Sequence, residues 1–316
     1  MNVRLVRTIF SMAVGIAIFF ALNITEAAAK LQIVTSFSED SSIAEAIGGD
    51  RVIVTSLTTG VQDPHAVEPK PSLVLSLSQA DLLIVNGQQM EIAWLPEAVA
   101  ASGNDRIQEG KEGYLNASNG VILLAYTNLE IKNTKFMSAT KDGAPKAANH
   151  HYWLDPENGL IIADNIYRKL SQLDAANAGY YKTNYEAFTS RLSGKIKDWD
   201  AMMEPFRGTK IVSYHRDWTY LANRHGFDII DYIEPRETIP PSARDVAVLI
   251  KRIRDEKVRL ILISPWQPQR ISHEIARQSG AAILSLPSAV DPRLGTKDYI
   301  NMFDVIYSQL AKIFTE

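Results

Sequence analysis

Two stretches of this chain run through the same succession of strand, helix and strand, and that repetition most limits what the chain can fold into. In the first, Ile33-Val34-Thr35 reads as a strand, a helical pattern passes through Ile43 and Ile47, and Gly48-Gly49 leads into Val52-Ile53-Val54. In the second, Ile211-Val212-Ser213 is followed by a helix through Trp218 and Leu221, then by Gly226 and Ile229-Ile230. Each is continued by a proline-rich turn, a helix and one more strand. The first unit uses Pro69-Lys70-Pro71-Ser72, a helix over 73–79 and Leu82–Val85; the second uses Pro240-Pro241-Ser242, a helix over 246–255 and Leu260–Ile263. The pattern predicts an α/β protein of two similar βα lobes with central parallel-type sheets.

Between the repeats, Tyr181, Tyr185, Phe188, Leu192, Ile196, Trp199 and Met203 recur every three or four residues. Read as one helix over 175–203, the segment is about 43 Å long at 1.5 Å per residue. Gly179 and Gly194 weaken that helix, but the aromatic stripe marks it as a rigid strut packing both lobes. The expected division is a signal peptide at 1–29, an N-terminal lobe at 30–174, a linking helix at 175–205 and a C-terminal lobe at 206–316. Residues 128–149 lose apolar periodicity and read as a loop running into His150-His151.

The first 29 residues carry Arg4 and Arg7, an apolar run from Ile9 to Leu22, and Ala27-Ala28-Ala29, the plan of a cleavable secretory signal. The run is shorter than the roughly 20 residues a spanning helix needs. The chain contains no cysteine, so no lipid is expected on a thiol after the apolar run, and neither disulfides nor thiolate ligands are available. A soluble periplasmic protein is the expectation. Cleavage leaves 287 residues with 31 basic and 35 acidic side chains, a net charge of −4 without a basic stripe, which argues against a nucleic-acid partner.

Three of the six histidines stand at turns next to strands or helix starts: His65 after Asp63-Pro64, His151 before Tyr152-Trp153-Leu154-Asp155-Pro156, and His215 after Ser213-Tyr214. Imidazoles brought from distant loops point to a transition-metal site, and three neutral rings around a dication call for at least one anion. Glu234, closing the 229–233 strand, is the favoured fourth ligand, with Asp291 in Val290-Asp291-Pro292 the alternative. His150 would point away from the site if its backbone were extended. It is expected, with His225 and His273, to be solvated or structural.

These residues closely resemble the periplasmic zinc- and manganese-binding receptors of metal ABC transporters, the TroA-like or ZnuA-like family. The resemblance rests on Asp63-Pro64-His65-Ala66-Val67-Glu68-Pro69-Lys70-Pro71-Ser72, on Ala80-Asp81-Leu82-Leu83-Ile84-Val85-Asn86-Gly87 with Glu91 and Trp94, on His151-Tyr152-Trp153-Leu154-Asp155-Pro156 and on Ser213-Tyr214-His215. It implies a metal site in the interlobe cleft of a two-lobed receptor with a rigid linking helix, and places His65, His151 and His215 at the family's histidine ligands. It also implies delivery of the metal to an inner-membrane ABC permease. A monomer that catalyses nothing is expected, with zinc the first cargo and manganese the next, because nitrogen-rich coordination suits zinc. Two features depart from the family: Pro287 in Leu286-Pro287-Ser288 stands where a ligand Asp is common, and the 128–149 loop lacks a histidine-rich tract. Two other classes remain to be weighed. A three-histidine zinc hydrolase would need a general base, for which Glu68 and Glu234 are the nominees. An adhesin-like surface protein would need no metal transport.

Overall fold

The computed structural model describes residues 29–125, 148–236 and 239–316. The signal segment and nearly all of the 128–149 loop lie outside the described residues. In the first lobe, β1 (Leu31–Thr35), α1 (Ser38–Gly48), β2 (Val52–Ser56), α2 (Pro71–Ser78), β3 (Leu82–Val85), α3 (Leu95–Ser102) and β4 (Tyr114–Asn116) form a four-stranded sheet in the order β2-β1-β3-β4. Every pairing is parallel, with Ile33 opposite Val54 on one side and Leu82 on the other. A parallel sheet is covered on both faces, so its inner strand carries no polar alternation. Leu82, Leu83, Ile84 and Val85 are accordingly all buried.

After α4 (Pro156–Leu173) and α5 (Ala178–Met203), the second lobe repeats the plan. It contains β5 (Lys210–Ser213), α6 (Thr219–His225), β6 (Asp228–Tyr232), α7 (Ala243–Asp255), β7 (Leu260–Ile263), α8 (Gln269–Ser279) and β8 (Ala282–Ser285), and the chain ends in α9 (Tyr299–Thr315). The sheet order is β6-β5-β7-β8, again all parallel. The two sheets therefore share one topology, as the repeated sequence pattern predicts.

Helix α5 buries Tyr181, Phe188, Leu192, Ile196, Trp199 and Met203, the stripe read from the sequence. It begins three residues later than expected because Ala175–Asn177 forms a 3-10 turn, and Asp174 accepts hydrogen bonds from Asn177 Nδ2 and Tyr181 Oη, both at 2.7 Å. Tyr185 stacks on Tyr167 of α4, while Trp199 packs on Phe303 and Tyr307 of α9. Helix α9 also reaches the first lobe, where the Tyr299 amide donates to Ser42 Oγ at 2.9 Å and its hydroxyl to the Trp153 carbonyl at 2.8 Å. Arg224 of α6 adds a polar tie, donating to Asp200 of α5 and to Asp155 and Glu157 at the start of α4. The strut is thus wedged between helices from both halves of the chain. Among the described residues, no helix is long and apolar enough to cross a membrane.

Candidate metal centre

His65, His151 and His215 come together, although they are far apart in the sequence. His65 follows β2 on a turn whose Pro64 carbonyl accepts a hydrogen bond from Trp94 Nε1 at 3.2 Å. His151 precedes a 3-10 turn over Tyr152–Leu154, with Trp153 donating across to the Ser288 carbonyl at 3.0 Å. His215 lies two residues beyond β5. The ring centroids of His65 and His151 are each 5.1 Å from that of His215 and 5.5 Å from each other. All three side chains are buried, at 9, 2 and 3 % exposure for His65, His151 and His215.

Each of these rings has its Nδ1 engaged by an oxygen. Asp63 Oδ1 lies 2.9 Å from both the His65 amide and its Nδ1. Asn149 Oδ1 repeats that arrangement, at 2.9 Å from the His151 amide and 3.0 Å from its Nδ1. Glu234 Oε2 lies 2.5 Å from His215 Nδ1. A proton held on Nδ1 leaves Nε2 with a free lone pair, which is how a protein fixes a ligating tautomer. His151 Nε2 is buried with no hydrogen-bond partner among the described residues, as expected of a nitrogen that ligates a cation.

Glu234, expected as the fourth ligand, has a different place. Its carboxyl sits at the Nδ1 side of His215 and does not join the group whose donor atoms converge. Asp291 is engaged elsewhere: it caps the turn at Pro292–Leu294, accepts from the Gly60 amide at 3.0 Å and pairs with Arg293, which holds its carboxyl down at about 2. His150, expected to point away, joins the group instead. The donor atoms of His65, His150, His151 and His215 all lie within 4.8 Å of one another. Its backbone is bent, and His151 has φ −85° and ψ 34°, so the extended geometry that would have turned neighbouring rings to opposite sides does not apply. His225 is structural, with Nε2 2.9 Å from Tyr307 Oη. Burial pushes it down to about 4, so it does not act as a cation at the end of α6. His273 is exposed and bonded within α8.

The electrostatics favour neutral imidazoles. Burial first, then the neighbouring rings and Arg216, push His150 and His151 well below the ordinary histidine value. Burial alone would raise the Asp63 carboxyl, but its bonds to His65 bring it below the usual range. Asp63 and Glu234 therefore place carboxyl groups directly behind two of the rings, where they can offset a bound dication without touching it.

Motif residues without an obvious chemical role serve as supports. Glu91 accepts from the Asn86 amide at 2.7 Å, the Gly87 amide at 3.1 Å and Ser36 Oγ at 2.6 Å, closing the turn after β3. Gly87 has φ +77°, and a Cβ there would come within 2.4 Å of Asn116 Oδ1. Next to the histidines, Phe37, Glu39, Pro64, Trp153 and Trp266 help line a cavity of about 20 Å³, room for about one water. Burial pushes Glu39 up to about 7 from its ordinary 4.5. The folded protein keeps this proton to higher pH than the unfolded chain does. The associated stability is complete below about pH 4.5 and is lost as pH rises through about 7. Glu39→Gln is expected to remove a loss of up to about 3 kcal/mol that accrues between roughly pH 4.5 and 7, flattening the melting-temperature profile. Parallel profiles for the two proteins would contradict it.

Two α/β lobes braced by a strut helix, with imidazoles gathered at their junction, have the plan of a metal-uptake receptor. The chain belongs to the ZnuA family, described as the zinc-uptake complex component A, periplasmic, whose model matches residues 33–313. It is 25% identical over 318 residues to the iron-binding protein YfeA of Yersinia pestis, covering 96% of this chain and 93% of that one. The manganese ABC transporter substrate-binding lipoprotein PsaA of Streptococcus pneumoniae is 28% identical over 261 residues, 81% of this chain and 79% of that one. A crystal structure of ZnuA superposes with a TM-score of 0.75 at 24% identity, over 90% of this chain and 99% of that one, a likeness of fold. Neither the family nor these relatives supports the hydrolase or adhesin alternative.

Proposed function

We propose that this protein is a periplasmic receptor, exported by a cleavable signal, that captures one divalent transition metal ion and delivers it as a monomer to an inner-membrane ABC permease, without catalysing a reaction. His65, His151 and His215 are its ligands through Nε2, and Glu234 acts through His215 by holding its tautomer. The observation that carries this reading is the set of buried rings whose Nδ1 atoms are each held by an oxygen. Zinc is the favoured cargo and manganese the next, because neutral nitrogen donors suit zinc while manganese takes oxygen-rich sites. The relatives named for iron and manganese leave that choice to the donor atoms of this chain.

His65 and His151 come from the first half of the chain and His215 from the second, so a small displacement between the halves opens the site. A strut wedged on both sides resists a wide hinge, and release then proceeds by local loosening. Titration of the metal-free protein against a competing chelator tests the proposal. It should bind one zinc per chain and prefer zinc to manganese. No tight binding of either ion would overturn the assignment.

A further inference from the structure

The family resemblance leads one to look for a carboxylate as the last ligand, yet the structure offers another imidazole. His150 Nε2 lies 3.0 Å from His65 Nε2, and its ring centroid is 4.5 Å from that of His151. Four nitrogens around a tetrahedral zinc with bonds of about 2.0–2.1 Å are separated from one another by roughly 3.3 Å. The His65–His150 pair is already near that spacing, and all four donor atoms lie within 4.8 Å of one another.

His150 is also held in place. Its carbonyl accepts from Asn86 Nδ2 at 3.2 Å, at the start of the turn that carries Gln88. Gln88 belongs to a turn in which Gly87, Gln88 and Gln89 all have positive φ, at 77°, 54° and 66°. Two non-glycine residues in that region carry a conformational cost that the surroundings must offset, and such turns concentrate at built sites. The carboxyls that might compete are occupied, Glu234 on His215 Nδ1 and Asp291 on Arg293 and Gly60. Pro287 stands where the family often has a ligand Asp.

We propose that His150 is the fourth ligand, making the cleft an all-imidazole site that selects zinc and similarly nitrogen-seeking ions against manganese. This rests on the receptor reading above and specifies its coordination and selectivity. Four neutral nitrogens leave the charge of the ion to be offset from behind the rings. Manganese gains least from such a set, being low in the affinity order for nitrogen donors and better suited to oxygen.

X-ray absorption at the zinc edge on the loaded wild-type protein, with competition titrations of zinc against manganese, tests this. The spectrum should fit four imidazole nitrogens, falling to three in His150→Ala with zinc affinity weakened at least roughly tenfold. His150→Asp should narrow the zinc-to-manganese affinity ratio by about tenfold or more by introducing an oxygen donor. A wild-type spectrum with three imidazoles and an oxygen, or an alanine variant with unchanged affinity and spectrum, would overturn the role of His150 alone. Absence of bound zinc from the wild-type protein would overturn the receptor reading beneath it. The wild-type spectrum decides the ligand count even if a variant fails to fold.

Discussion

Replacing His151 with alanine is expected to abolish the thermal shift that zinc gives the wild-type protein. An ion that binds only the folded state at a thousandfold excess over its dissociation constant stabilises that state by about 4 kcal/mol, and each kcal/mol raises the melting temperature of a chain this size by roughly 2–4 °C. The wild-type shift should therefore be on the order of 10 °C, and the variant should keep little of it. His151 is the most buried of the four rings, and its Nε2 is available to the cluster. Its ring also packs 5.3 Å from Trp153, so truncation costs the metal-free protein about 1–3 kcal/mol as well. The informative quantity is the zinc-induced shift in each protein, compared with His273→Ala, whose exposed ring lies on α8 and should leave the shift unchanged. An undiminished shift in His151→Ala would remove this ring from the ligand set.

Trp199→Ala should cost about 3–5 kcal/mol, a typical price for emptying a large buried aromatic site. The indole is 2 % exposed, stacks at 5.2 Å on Tyr307, sits 5.5 Å from Phe303, and donates to Asp304 Oδ1 at 3.1 Å. It thus packs α9 against the strut, beside the Lys195–Asp304 ion pair. No residue of that contact belongs to the histidine group, so zinc affinity should change far less than stability. Chemical denaturation with zinc titration measures both. A loss below about 1 kcal/mol would refute the bracing role assigned to this packing.

The parts of the fold that could be read in advance are those whose burial leaves a periodic trace. Leu82–Val85 and Leu260–Ile263 are continuous apolar runs because they are inner strands of parallel sheets, and the aromatic stripe of α5 follows the helical repeat. The edge strand Tyr114–Asn116 has three residues and no such run, so its place in the sheet follows from pairing with β3 rather than from its own pattern. At the site, the turns around His65, His151 and His215 were legible. The place of His150 among them was not, because it depends on the local bend and not on residue type. One signal was present but unused: Asp63 and Asn149 each stand two residues before a ring that they hold. No comparable signal exists for Glu234, which meets His215 across 19 residues, and nothing in a sequence tells which nitrogen a distant carboxyl will face.

The central claim is that the buried histidine cluster holds the ion, and anomalous diffraction at the zinc absorption edge tests it most directly. Crystals of metal-free protein soaked in zinc should show their strongest anomalous peak about 2.0–2.1 Å from Nε2 of His65, His151 and His215. A cluster without a peak, with zinc bound only at surface groups such as His273, would contradict the account.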